Sequence, residues 1–255
     1  MCTVSWLFEL TAEESAARFE LFFNRDESRS RGSARPPEVI RQLGSPAVLA
    51  PIDSDAGGSW LAANDRGLVV ALLNLYQARG GSRAGTTSRG VLPIEWGQLA
   101  SVREVRESFA ERSLDEFAGF RLLAFDATGA AGLGAWFGDR REWNPKPEAP
   151  IISSGFSLSE VERARRATYS NQLARCGGTT SEALRAFHSS TQPEPGPLAV
   201  RMTRDDARTV STTRVLVGPE SVEMHYASVG PQDGDWSGQP VVTSLPRSSR
   251  PQASK

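Results

Sequence analysis

The chain has 255 residues, 39% of them hydrophobic and 23% charged, with a formal net charge of -1. That is the balance of a globular domain long enough to bury a core, and it argues against an electrostatic nucleic-acid binder. No apolar run is long enough to span a bilayer, and MCTVSWLFEL lacks a basic start and is interrupted by Glu9, unlike a signal peptide.

Thr3 to Leu10 and Arg18 to Phe23 read as two strands. Thr11 to Ser15 supplies a turn, so the pair forms a hairpin that ends at Asn24-Arg25-Asp26-Glu27. Ser28 to Ala56 is rich in Arg, Ser, Pro and Gly and is expected to be one long loop bordering a functional site. Ser59–Ala63 and Leu68–Leu73 make a second hairpin, turned at Asn64-Asp65-Arg66-Gly67. A mobile segment is expected over Ala78–Arg89. The spacing of Leu99, Val102 and Val105 predicts a helix over Ile94–Ser108. Phe120–Phe125 and Leu133–Phe137 form a third hairpin around Thr128-Gly129. Ser157–Leu173 reads as a helix, with Ser157 or Ser159 as N-cap, and Ser181–His188 as a shorter one. Thr209–Val217 and Val222–Ala227 give a last hairpin. Hairpins separated by blocks of helix predict an α+β fold of antiparallel sheets covered by helices. One domain is expected over residues 1–230, followed by a disordered tail over residues 231–255, where Gly, Pro, Ser and Gln dominate.

The chemistry narrows quickly. Two cysteines, Cys2 and Cys176, and two histidines, His188 and His225, give neither a disulfide framework nor a metal-ligand pattern. The expectation is a cytoplasmic protein without metal or cofactor, whose general base is not histidine. Cys2 follows an initiator methionine that is removable before a small residue. Its own α-amine, with an ordinary pKa near ~8, could then serve as base for a thiol near ~8.5. Burial as a small strand residue is the other reading of Cys2. Arg25 and Asp26 are the right types to stabilise a thiolate and hold an ammonium, although adjacent residues of a strand point to opposite faces. Both reach Cys2 only if the strand has ended by Arg25. Asp26 at such a strand end is expected to be solvated, so that Asp26→Asn leaves the fold intact. Asn74, closing the strand Leu68–Leu73, could donate to an oxyanion or cap a turn. Gly57-Gly58 permits close backbone approach, and Trp60 could wall a pocket or sit in the core.

Met1-Cys2, Asn24-Arg25-Asp26-Glu27, Gly57-Gly58-Ser59-Trp60-Leu61 and Asn64-Asp65-Arg66-Gly67 leading to Asn74 follow one another in an order and spacing that resembles the NRDE family. Its eukaryotic members include the transport and Golgi organisation protein 2. The family is similar in turn to N-terminal nucleophile hydrolases with a cysteine at the start. The resemblance covers the first third of the chain well. It implies a four-layer αββα sandwich, with Cys2 as nucleophile and base, Asp26 holding the amine, Arg25 at the thiolate and Asn74 in the oxyanion hole. Arg208 would supply a further guanidinium, and Asn24, Trp60 and Ser154 would line the substrate pocket. Two departures stand out: Arg25 and Asp26 are adjacent where the hydrolases separate them, and Ser153-Ser154-Gly155 replaces an Asn. Two functions follow from the resemblance. One is hydrolysis of the C–N bond of a small acylated substrate; the other is non-catalytic handling of haem or an acyl lipid in the same pocket.

Overall fold

Cys2–Glu9 (β1) and Arg18–Ser28 (β2) bury side chains on both faces, from Val4, Trp6 and Phe23 on one to Thr3, Ser5 and Asn24 on the other. A strand of that kind must be covered on both sides, as it is inside a layered sandwich. The computed structural model, which describes residues 2–9, 18–78, 85–229 and 239–248, has that architecture. The expected turn at Thr11–Ser15 lies outside the described residues.

Two antiparallel sheets face each other. The first also contains Ile151–Ser153 (β10), Ala207–Val217 (β11), Ser221–Ser228 (β12) and Val241–Pro246 (β13), in the order β10-β1-β2-β11-β12-β13. The second has seven strands in sequence order: Arg35–Ile40 (β3), Val48–Ile52 (β4), Leu61–Asn64 (β5), Val69–Asn74 (β6), Phe120–Phe125 (β7), Ala131–Trp136 (β8) and Arg141–Asn144 (β9). Period-2 alternation divides the side chains of β6. Val69, Ala71 and Leu73 join Val4, Trp6 and Leu21 in the core between the sheets, while Val70 and Leu72 face outward. Helices Val91–Trp96 (α1) and Val102–Glu111 (α2) cover that outer face through Leu92, Trp96, Val105 and Phe109. Leu158–Arg175 (α3) and Ser181–His188 (α4) cover the first sheet, where Leu184, Tyr169 and Leu173 pack on Leu7 and Phe22. The αββα sandwich expected from the sequence is therefore present. Among the described residues no helix is long and apolar enough to cross a membrane.

Several segments depart from the sequence reading. β2 continues five residues past Phe23, so Asn24-Arg25-Asp26-Glu27 is strand rather than turn. The expected loop over Ser28–Ala56 holds β3 and β4. All five residues of β4 are buried, which removes the alternation that marks a half-buried strand. β3 carries Pro36 and Pro37, tolerated because it is an edge strand. The helix expected over Ile94–Ser108 is broken at Gly97–Ser101. There Ser101 is extended and caps α2 by accepting from the Glu104 N–H, while Glu104 reaches back to the Ala100 N–H. Residues 241–246 are not a disordered tail: β13 pairs with β12 and buries Leu245. Alternation around Leu245 outweighs the polar composition.

α4 is fastened to the sheet by a buried network. His188 Nε2 meets Ser5 Oγ at 2.8 Å, and Nδ1 meets Asn24 Oδ1 at 3.0 Å. Asn24 donates in turn to the carbonyls of His188 and Val200. A serine, a histidine and an amide in a row resemble a catalytic relay, but Ser5, Asn24 and His188 are at most 1% exposed. No substrate reaches them, and their work is structural. Asn24 is consequently no pocket residue.

Burial, followed by repulsion from Arg165, pushes the His188 imidazole down to about 3. The folded state therefore favours the neutral ring. Its contribution is complete above the ordinary pKa of 6.5 and is lost as pH falls from there toward 3, at about 1.4 kcal/mol per pH unit. Urea denaturation at pH 7.5 and pH 5 should show a loss of about 2 kcal/mol in the native protein that is missing in His188→Gln. An identical pH dependence in both proteins would contradict the buried neutral histidine.

Candidate active site

Cys2 opens β1, and the ladder sets it opposite Arg25 of β2 on one side and Ser153 of β10 on the other. Residues paired across an antiparallel ladder share a face. Ser153, Cys2 and Arg25 thus form a row looking toward the second sheet. Cys2 and Arg25 border a cavity of about 370 Å³, which Asp53, Trp60, Asn74 and Arg89 also line. Ser153 Oγ is buried with no hydrogen-bond partner among the described residues.

Arg25 spans the rim. Its Nη2 donates to Asp53 Oδ2 at 2.6 Å and to Glu27 Oε2 at 3.2 Å, and its guanidinium lies 4.3 Å from the centroid of the Trp60 ring. Asp53 follows β4, so this contact joins the two sheets. Arg31 adds two bonds to the same carboxylate, at 2.9 and 3.1 Å. Burial alone would raise the Asp53 carboxyl. The bonds from Arg31 and the Ala56 N–H, with the charge of Arg25, outweigh it and hold the group below its ordinary value.

Asp26 takes the other face of β2. Its side chain has no exposed surface. One carboxylate oxygen accepts from Arg165 Nη1 and Nη2, both at 3.3 Å, and the other from Thr209 Oγ1 at 2.6 Å. Arg165 also donates to Thr3 Oγ1 at 2.5 Å. What Asp26 shows to the cavity is its backbone. This overturns the expectation of a solvated carboxylate beside Arg25: the strand has not ended, so neighbours alternate.

Cys2 is not a resting thiolate either. Burial pushes its thiol up, and the charge of Asp26 adds to the rise. The charged amino terminus, the Asp26 backbone N–H and Arg25 oppose this without cancelling it. Arg25 is the smallest of these influences, and its guanidinium is engaged by Asp53 and Glu27.

The remaining expected residues divide. Trp60 and Asn74 border the cavity, and Asn74 Nδ2 donates to the Tyr76 hydroxyl at 3.2 Å. Gly58 permits close approach as expected, since a Cβ there would lie 2.6 Å from the Gly90 carbonyl carbon. Ser154 is fully buried in a turn, with its hydroxyl on the Phe156 backbone, and does not line the cavity. Arg208 pairs with Glu27 across β11 and β2 and borders a separate cavity of about 80 Å³. Arg165, Asp53 and Arg89 were not singled out in the sequence, and Ser153 entered only as part of the run that replaces an Asn. Only Arg165 carries a visible signal there: a charge in the Val161, Arg165, Thr168 stripe, which has helical spacing and turns inward.

Residues 1–174 match the family described as Transport and Golgi organisation 2. The Transport and Golgi organization protein 2 homolog of Bos taurus is 30% identical over 156 residues, which are 59% of this chain and 54% of that protein. The chain thus spans about half the length of the curated relative it matches. Among solved structures, a penicillin V acylase from Agrobacterium tumefaciens has a TM-score of 0.54 at 12% identity, over 96% of this chain and 86% of that chain. A Caenorhabditis elegans ortholog of N-acylethanolamine-hydrolyzing acid amidase has 0.54 at 10%, over 84% and 92%. A conjugated bile acid hydrolase from Clostridium perfringens has 0.50 at 14%, over 96% and 92%. At such identities the likeness concerns the fold, which is that of N-terminal nucleophile hydrolases.

The buried pair yields a prediction opposite to that from a solvated carboxylate. Asp26→Asn leaves Arg165 buried without its counter-charge and should destabilise the protein by about 3–5 kcal/mol. Arg165→Met should do the same, and the double variant should lose much less than the two single losses added together. Urea denaturation of the four proteins measures this. A change within about 0.5 kcal/mol for Asp26→Asn, the size of an ordinary surface substitution, would contradict the arrangement.

Proposed function

Because the chain belongs to the Transport and Golgi organisation 2 family, on the fold of N-terminal nucleophile hydrolases, we propose that it hydrolyses the C–N bond of a small acylated amide with Cys2 as nucleophile. The observation that carries this reading is the position of Cys2, first in β1 and bordering a cavity of about 370 Å³, the size of a small-ligand site. The similar structures include proteins named as an acylase, a hydrolase and an amidase.

The scheme starts with removal of Met1, which frees the Cys2 α-amine. Cys2 pairs with Arg25, whose neighbour in β2 is Asp26. The Asp26 carboxylate is committed to Arg165 and Thr209, so its part in the scheme is positional: it keeps β2 in register beside the amine. The neutral amine takes the thiol proton as Sγ attacks the substrate carbonyl carbon. A raised thiol suits this, because proton transfer accompanies attack rather than preceding it. Asn74 Nδ2, released from Tyr76, donates to the oxyanion. The C–N bond then breaks as the ammonium returns the proton to the leaving nitrogen, which departs as amine and leaves a thioester on Cys2. Water, deprotonated by the same amine, attacks the thioester; Cys2 recovers its proton and the carboxylic acid leaves. Arg25 shapes the rim through Asp53 and Trp60, and Arg208 has no part in the scheme.

Charged and hydroxyl groups around the cavity, Arg25, Asp53, Ser59 and Thr86 among them, favour a polar amide over haem or an acyl lipid. Cys2 and Cys176 are both free thiols, which supports a reducing, cytoplasmic setting.

The test is a panel of N-acyl amides read by mass spectrometry. Met1-free protein should release acid and amine from at least one member. Cys2→Ser should lower that rate by about a thousandfold or more, with an unchanged melting temperature. No turnover across the panel, or undiminished turnover in Cys2→Ser, would overturn the proposal.

A further inference from the structure

The charges around the cavity do not balance locally, and the excess sits on one residue. Glu27 and Asp53 are the carboxylates whose side chains border it, and arginines hold both. Arg25 bonds to each, and Arg31 makes two bonds to Asp53. Asp26 is turned away toward Arg165. Arg89 is left over. Among the described residues it makes no ion pair; its Nη1 donates to the Gly119 carbonyl at 2.8 Å, which orients the guanidinium without neutralising it. Burial pushes this guanidinium down, and the influences of Tyr76, Cys2 and Glu27 only partly oppose that. A half-desolvated cation with no committed counter-ion is costly unless an anion joins it.

The backbone around Arg89 is held firmly. The Thr86 and Thr87 N–H groups donate to the Glu116 carbonyl at 2.9 and 3.1 Å. Ser59 N–H donates to the Gly90 carbonyl at 2.8 Å, in the close approach that glycine at position 58 permits. The cation is therefore preorganised on the wall of the cavity that Cys2 borders.

We propose that Arg89 anchors a carboxylate, so that the ligand of the Cys2 cavity is a small amide that also carries a carboxylate group. The word amide rests on the hydrolase reading; the anion does not. One surplus cation matches a monoanion, and Glu27 and Asp53 would repel a more highly charged group such as a phosphate dianion.

The experiment measures binding without turnover. Protein carrying Cys2→Ala is titrated calorimetrically with N-phenylacetylglycine and N-hexanoylglycine, and with the matching glycinamides, which differ only in lacking the charge. The Cys2→Ala background also removes any pairing of Arg89 with a thiolate. The acids should bind about tenfold or more tighter than the amides. Adding Arg89→Gln should erase that difference while leaving amide affinity within about twofold, and Arg89→Lys should keep part of it. Competition by free acetate against N-phenylacetylglycine is a second readout that needs no Arg89 variant, and displacement is expected. Equal binding of acid and amide, a preference that survives Arg89→Gln, no displacement by acetate, or no binding by any member overturns the proposal. A preference for acids in a protein that cleaves none of the four compounds leaves the anion site standing and counts against hydrolysis alone.

Discussion

The carboxylate of Asp26 lies between Arg165 of α3 and Thr209 of β11, sealed from water on the helix side of the first sheet. A buried ion pair is a poor source of net stability, because desolvating two charges offsets most of their attraction. Its value is positional. Neither partner can move without exposing the other as an unpaired buried charge. Arg165 also holds Thr3 of β1, so the pair ties α3, β1, β2 and β11 to a single point one residue from Cys2. The same guanidinium helps keep His188 neutral in its network with Ser5 and Asn24. The first residues of the chain are thereby held in a ladder register that sets Cys2 between Arg25 and Ser153.

On the opposite face the same strand does different work. Arg25 reaches across to Asp53 and Trp60, which flank β4 and β5 of the second sheet, and closes the rim of the cavity. Adjacent residues with opposite charges thus serve two layers, one fixing the helix side and one shaping the pocket. The polar motif is informative because the strand carries it through, with period 2, into both environments.

That alternation explains what the sequence made legible. The hairpins at Asn64–Gly67 and Thr128-Gly129 and the helix ending at His188 were readable, because their apolar periodicity and turn residues agree; the four layers came from the family resemblance. The short motifs around Cys2, Arg25, Trp60 and Asn74 picked out residues that border one cavity. The misreadings have identifiable causes. Val48–Ile52 is buried on every side and so has no period to detect. Asn24–Glu27 looks like a turn because its buried polar groups have partners more than 100 residues away, Asn24 with His188 and Asp26 with Arg165 and Thr209. Arg89 stands in a Gly- and Ser-rich stretch whose anchoring to Gly58–Ser59 and Glu116 is a tertiary matter. The resemblance implied a further guanidinium at Arg208, but in β11 it borders a different cavity.

The proposed hydrolysis requires that a free amine on Cys2 makes its sulfur a nucleophile although burial holds the thiol up. The most direct measurement is peptide mass after acid quench of protein exposed to an activated phenylacetyl ester, comparing preparations with Met1 removed and Met1 retained. A phenylacetyl group is expected on the Cys2 peptide of the Met1-free protein, and none on that peptide when Met1 is retained. Equal acylation of Cys2 in both preparations, or acylation confined to Cys176, would contradict it.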